Sequence, residues 1–203
     1  PANMIYVATD SDLIKKVCAE EGAQVIMTSP NCLTGTDRVA EVSKKIQANT
    51  YINVQGDEPV FNPEDLKLLL NEIKKYPKEI ITGYCEIDND STYRDLNVPK
   101  VVIRPDGRLL YASRSPIPSN KLNKFEKGWR QVCVYAFPKM ALEVFSARKI
   151  KTELEKIEDI EYLRFLELGI DVRTLKMSKM SLAVDTPDDV AKVKEIIKKL
   201  DLK

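Results

Sequence analysis

The sequence contains no histidine. That excludes Ser-His and Cys-His nucleophilic pairs and histidine-ligated zinc. Any chemistry must run on carboxylates, lysine, arginine, hydroxyls and a hard cation such as Mg²⁺. There is no Cys-x-x-Cys pair either. Cys18, Cys32, Cys85 and Cys133 stand far apart and three of them sit in apolar stretches, the pattern of reduced thiols in a cytoplasmic protein. No charge of one sign dominates. The 32 basic and 31 acidic residues leave a net charge of +1, which provides no global field for nucleic acid or anionic lipid. No apolar run is long enough to span a bilayer and no secretory leader is recognisable, so neither membrane insertion nor export is expected. The 203 residues suffice for one domain with a full core. No repeat, low-complexity segment or linker divides them.

What is present is an alternation of short β-branched runs with amphipathic helical patterns. Met4–Ala8, Val25–Met27 and Tyr51–Val54 read as strands. Between them lie helices with the apolar faces Leu13, Ile14, Val17, Cys18 and Val39, Val42, Ile46. A third helix starts at Asn62-Pro63 with the stripe Leu66, Leu69, Leu70, Ile73. This order predicts an α/β fold with a mostly parallel, Rossmann-like sheet and right-handed crossovers. The middle differs. Ile80–Ile87, Val98–Arg104, Arg108–Ser113 and Arg130–Phe137 read as strands with few helices between them, two joined by the Pro105-Asp106-Gly107 turn. We expect these to form an antiparallel lobe, about residues 83–137, inserted in a single domain spanning 1–203. Helices return at Glu153–Leu168 and after Thr186-Pro187-Asp188-Asp189, where cap, proline and first-turn acids stand in order.

The most informative stretch is Asn53-Val54-Gln55-Gly56-Asp57-Glu58-Pro59. A strand that ends in a polar, acidic, glycine-containing turn before a helix is where α/β folds hold ligands. Asp57 and Asp185 both follow short apolar strands and both precede helices opening with proline. Meeting at the strands' carboxyl ends, with bound phosphates, they would make an octahedral Mg²⁺ site; read singly, each is an ordinary turn or helix-start acid. Gly35-Thr36-Asp37-Arg38 precedes a helix, where backbone amides, a hydroxyl and an arginine suit an anion, or where Thr36 simply caps the helix and Arg38 is solvated. Arg114 lies between two serines ahead of a proline turn, placed to grip a carboxylate or to lie on a surface loop. Alternation puts Gln131, Cys133 and Tyr135 on one strand face. Glu161 falls on the apolar helical face of Leu154 and Ile157, where it needs a ligand or an internal partner, Arg164 being the nearest.

Taken in order, these pieces resemble the 3-deoxy-manno-octulosonate (Kdo) cytidylyltransferases. The matching residues are Ala8-Thr9-Asp10, Thr28-Ser29-Pro30, Gly35-Thr36-Asp37-Arg38, Gln55–Pro59, Lys100-Val101-Val102, Ser113–Pro118, Val134-Tyr135, Glu161–Arg164 and Val184–Asp189. The resemblance implies transfer of CMP from CTP to the anomeric hydroxyl of a sugar acid, giving CMP-Kdo and pyrophosphate for lipopolysaccharide. It implies Mg²⁺ on Asp57 and Asp185, a nucleotide side formed by Gly35, Thr36, Arg38 and Gln55, and a sugar side formed by Arg114, Gln131, Tyr135 and Glu161. Asp57, Asp185, Arg38 and Arg114 are the expected catalytic set. It also implies a homodimer.

Three departures qualify the match. The family opens with a strand, a Pro-Ala-Arg phosphate loop, a Gly-Lys-Pro segment and a helix, a unit of roughly thirty to forty residues. This sequence lacks it, so we expect it to be part of a longer chain. Gln131 stands where the family has histidine, and Tyr162 where it has glutamine. Both changes fall on the sugar side, leaving open a different sugar acid, amino-Kdo or sialic-acid-like. A non-catalytic partner subunit is the alternative outside enzyme chemistry.

Overall fold

The structure, a computed structural model, describes residues 4–184 and 186–199. Among the described residues eight strands and eight helices form an α/β fold. β1 (Tyr6–Thr9) and β2 (Gln24–Met27) pair in parallel as a small sheet. The larger sheet has the order β6-β5-β7-β4-β8, with β3 also on β7. Its members are β3 (Thr50–Val54), β4 (Ile80–Glu86), β5 (Lys100–Ile103), β6 (Leu109–Ser113), β7 (Trp129–Pro138) and β8 (Val172–Lys176). β7 runs antiparallel to β3 and to β4, while β4 and β8 are parallel. β3, β4 and β8 therefore point the same way, with β7 the reversed strand between β3 and β4. β5 and β6 form the antiparallel hairpin expected around Pro105-Asp106-Gly107. Gly107 adopts φ +84° there, a conformation side-chain-bearing residues rarely reach.

The ten residues of β7 organise the core by simple alternation. Val132, Val134 and Ala136 face α3 (Pro63–Lys75) and pack with Leu69, Ile81 and Met177. Tyr135 and Phe137 face the other way. They pack among α2 (Gly35–Lys45), α5 (Lys139–Ala147) and α7 (Leu163–Glu167), with Phe165 in ring contact with both Phe137 and Phe145. Each fully buried side chain of this size contributes about 1.5–3 kcal/mol, so this strand anchors both layers.

Two helix starts are capped where the sequence places them. Asn62 accepts from the Glu64 N–H ahead of Pro63, and α8 (Pro187–Lys199) opens with Thr186 N–H and hydroxyl on Asp189.

Several expectations are corrected. The span Glu153–Leu168 is not one helix. α6 (Glu153–Glu158) ends at Asp159, which turns left-handed at φ +51°, and α7 begins afresh at Leu163. Glu161 lies in the break, so it does not share a helical face with Leu154 and Ile157. α1 (Asp12–Glu20) buries none of its residues, and Leu13, Ile14 and Val17 remain exposed. Among the described residues it lies mainly on the two-stranded sheet, which is too narrow to cover an apolar stripe. Leu70 is exposed as well, and Asp65 takes the buried place beside Leu69. α4 (Asp90–Arg94), α5 and β8 are elements that periodicity missed. No helix among the described residues is long and apolar enough to cross a membrane.

Candidate active site

β3, β4 and β8 present their carboxyl ends to one edge of the sheet, and a cavity of about 1020 Å³ opens there, the position at which open α/β sheets bind ligands. Its walls are the Gln55–Glu58 turn after β3, the first half of β7, the 95–99 loop, the break at Asp159–Glu161, the 179–183 segment and the start of α8. Asp57, Gln55, Arg114, Gln131, Tyr135 and Glu161 all line it. Gly35, Thr36 and Arg38 do not.

Asp57 is exposed on the turn. Its carbonyl accepts from the Val184 N–H at 2.8 Å. The chain that leads to Asp185 is thereby bonded to the turn that carries Asp57; Asp185 itself lies outside the described residues.

On β7, the face predicted from alternation is the one that lines the cavity. Gln131 is buried, and its amide nitrogen donates to the Tyr135 hydroxyl and to Cys133 Sγ. Among the described residues its Oε1 has no partner, an acceptor that costs free energy until a ligand donor fills it. Burial pushes the Tyr135 phenol and the Cys133 thiol well above their ordinary pKa values, the neighbouring acids adding to the shift. Both therefore stay neutral.

Glu161 is held differently from either sequence-based reading. Its carboxylate accepts from the Gly35 N–H at 3.2 Å, the Thr36 N–H at 2.7 Å, the Thr36 hydroxyl and Gln55 Nε2 at 3.2 Å. It occupies the positive end of α2, where helix amides favour an anion. Burial nevertheless raises its pKa, outweighing these donors. Thr34, not Thr36, caps α2. Arg164 is not the partner of Glu161. It forks onto Glu155 at 2.6 and 2.7 Å and reaches Asp37 at 3.2 Å.

Arg114 has spent much of its donor capacity. Its guanidinium donates to the carbonyls of Glu158, Leu96 and Asp159 at 2.6, 3.1 and 3.1 Å, so it braces the loop walls while facing the cavity. Arg38 pairs with Asp10 at 3.3 Å and donates to the Thr28 hydroxyl. It joins the ends of β1 and β2, away from this cavity.

The four cysteines are free thiols, as expected. Among the residues that sequence reasoning passed over are Glu58, Arg130 and Ser181, which meet on the cavity wall beside the Asp57 turn. Glu58 stood inside the motif without a role. Segment 178–184 has no regular secondary structure, so the short strand expected ahead of Asp185 is not formed.

The residues at this cavity can be set against known proteins. A family model described as cytidylyltransferase matches residues 2–176. A 3-deoxy-manno-octulosonate cytidylyltransferase of Rickettsia bellii is 39% identical over 202 residues, covering 98% of this chain and 80% of that relative. One from Chlorobium phaeobacteroides is 35% identical over 201 residues, covering 97% and 81%. The chain belongs to the 3-deoxy-manno-octulosonate cytidylyltransferase family. A solved structure of CMP:2-keto-3-deoxy-manno-octonic acid synthetase complexed with CTP superimposes on this cytidylyltransferase chain with a TM-score of 0.86 and 32% identity, over 96% of this chain and 80% of that one. HddC from Yersinia pseudotuberculosis, at 14% identity and a TM-score of 0.70, shares the fold.

Proposed function

We infer that this protein transfers CMP from CTP to the anomeric hydroxyl of a sugar acid, Kdo, with release of pyrophosphate. Family membership carries the reaction class. The observation in this chain that carries the reading is the cavity at the strand ends, with Asp57, Gln131 and Tyr135 on its walls. The sugar hydroxyl oxygen bonds to the α-phosphorus while the bond to the β-phosphate oxygen breaks.

The donor chemistry fits a hard divalent cation. Carboxylates on the cavity wall outnumber cationic side chains, seven to four, an unfavourable surround for two anionic substrates unless a cation intervenes. Among the described residues no three His, Cys, Asp or Glu side chains gather as a protein-only cage. Mg²⁺ does not need one, because it binds through one or two carboxylates together with substrate phosphates. Asp57 and Asp185 are the residues we propose to hold it. When bound, it neutralises phosphate charge and orients both reactants.

The chain's own groups do the rest. Gln131 Oε1 accepts from a sugar hydroxyl, and the remaining N–H groups of Arg114 face the sugar carboxylate. Gly35, Thr36 and Gln55 act by mounting Glu161, whose carboxylate faces the sugar from the far wall. Arg38 acts from the nucleotide side by holding the strand ends together. The homodimer and the cytoplasmic location expected from the resemblance belong to the same proposal.

The test is pyrophosphate release by the full-length protein with CTP and a panel of sugar acids. Asp57→Ala should lower turnover by about a hundredfold or more, the loss of roughly 3 kcal/mol of transition-state stabilisation. Near-normal turnover would remove Asp57 from the metal site. A second reading, an altered sugar acid such as amino-Kdo, is favoured by one feature, the unpaired amide oxygen of Gln131 where histidine is expected. A panel member preferred over Kdo by tenfold in kcat/KM would establish it.

A further inference from the structure

Glu58 is buried beside Asp57, and among the described residues its side chain accepts only from neutral donors. The backbone N–H of Cys133 reaches Oε1 at 2.8 Å and the Ser181 hydroxyl reaches Oε2. Burying a carboxylate without a cation is costly, so packing alone is a poor explanation for an acid at this position. It stands on the cavity wall with Asp57, but both of its oxygens are already engaged by the protein. Its partners are the informative part. Cys133 lies on β7, the rigid strand of the core. Ser181 lies in the middle of a segment with no regular secondary structure, 178–184.

That segment is tied down at four places. Ser178 bonds to the Asp65 carboxylate through its N–H at 3.1 Å and its hydroxyl at 2.6 Å. Arg130 Nη2 donates to the Ser181 carbonyl at 2.8 Å. Glu58 takes the Ser181 hydroxyl, and the Val184 N–H meets the Asp57 carbonyl at 2.8 Å. In sequence, Asp185 follows immediately. We propose that Glu58 is a positioning residue: by clamping Ser181 to β7, it fixes the register of the 178–184 strap against the Asp57 turn and so sets how the strap delivers the second aspartate. The proposal rests on the metal reading of Asp57 and Asp185 given above.

The chemistry predicts which variants keep the clamp. In Glu58→Gln, the amide oxygen still accepts from the Cys133 N–H. The amide nitrogen donates to the Ser181 oxygen once that hydroxyl rotates. Both bonds survive while the charge is lost. Glu58→Ala removes both bonds, and Ser181→Ala removes one without touching the turn.

The experiment uses the full-length protein and two readouts: pyrophosphate release from CTP and Kdo, and the rate of tryptic cleavage after Lys179, which is exposed on the strap. E58Q should stay within about threefold of the parent in both. E58A and S181A should be cleaved at Lys179 at least tenfold faster, with kcat reduced more than tenfold and the CTP KM changed less than kcat. If E58A fails to fold, S181A carries the comparison alone. Loss of turnover in E58Q with cleavage unchanged would show that the charge itself acts and would overturn the positioning role, as would parental cleavage rates in S181A. The cleavage readout needs no turnover. An active D57A would therefore sink the metal reading while leaving the strap result separately legible.

Discussion

Replacing Arg164 with alanine tests the ionic joint behind the cavity. Arg164 and Glu155 are both fully buried. The guanidinium forks onto both Glu155 oxygens, donates to the Phe145 carbonyl at 3.3 Å, reaches Asp37 and stacks 3.6 Å above the Phe145 ring. Removing it leaves the Glu155 carboxylate, among the described residues, with only the Thr152 N–H and hydroxyl. Asp37 suffers less, being partly exposed and still bonded to the Thr34 hydroxyl at 2.8 Å. Breaking a buried pair by deleting one partner costs about 3–5 kcal/mol, and the space vacated over Phe145 keeps the value from the low end. A loss of about 4 kcal/mol lowers Tm by about 8–16 °C in a chain of this size. Urea unfolding and calorimetry measure both. The double variant R164A/E155A should recover about 2 kcal/mol, because the stranded charge leaves with its partner. R164K should fall between, since an ammonium cannot fork onto two carboxylates. A cost below 1 kcal/mol for R164A, or a double variant whose loss equals the sum of the single losses, would refute this account.

Two further outcomes are expected. Gly83→Ala would put a Cβ 3.0 Å from Val132 Cβ and 3.1 Å from Val134 Cγ1, with the flexible end of Met177 closer still; overpacking of this kind should cost about 1–3 kcal/mol, read by urea unfolding. Glu161, whose pKa is raised by burial, binds its proton more tightly in the native than in the unfolded state. Its contribution to stability is therefore fully present below the unfolded pKa and is lost as pH rises through the raised native value. The stability of the parent minus that of E161Q should accordingly fall as pH rises above the ordinary glutamate range, and a flat or rising difference would contradict the assignment.

Elements with a strong local period were legible. β3, β4 and β7, the helices α2, α3 and α8, and the hairpin at Gly107 stand where alternation, helical spacing, caps and turn residues put them. β8 was missed because Val172–Lys176 is short and its apolar residues do not alternate cleanly. The α6–α7 break was missed because one left-handed residue, Asp159, overrides a helical pattern that otherwise runs through it. Among the site residues, the turn at Asp57 and the β7 face were readable since their geometry is local. The partners of Glu161 and Arg164 were not. Glu161 chose groups more than a hundred positions away, and Arg164 chose Glu155 and the distant Asp37, over the neighbour at helical spacing. Ser181 carries no sequence signal at all, because its role depends on a hydroxyl meeting Glu58 across 123 positions.

These long-range choices change how the site is built. An unoccupied helix N-terminus would invite phosphate, but at α2 the first amides are already satisfied by Glu161. A phosphate bound there would have to displace a carboxylate held by four donors. The positive end of α2 is better understood as a mount for an acid on the cavity wall. The Arg164 network supports the same joint, since Asp37 belongs to the first turn of α2 and Arg164 to the start of α7, three residues beyond Glu161. One buried ionic cluster thus holds the far wall, and the Glu58 clamp holds the near one. Both walls are referenced to β7, whose opposite face is fixed in the apolar core beneath α3. A substitution that tilts β7 should therefore disturb the proposed sugar and metal sites together, whereas changes confined to either joint should separate them.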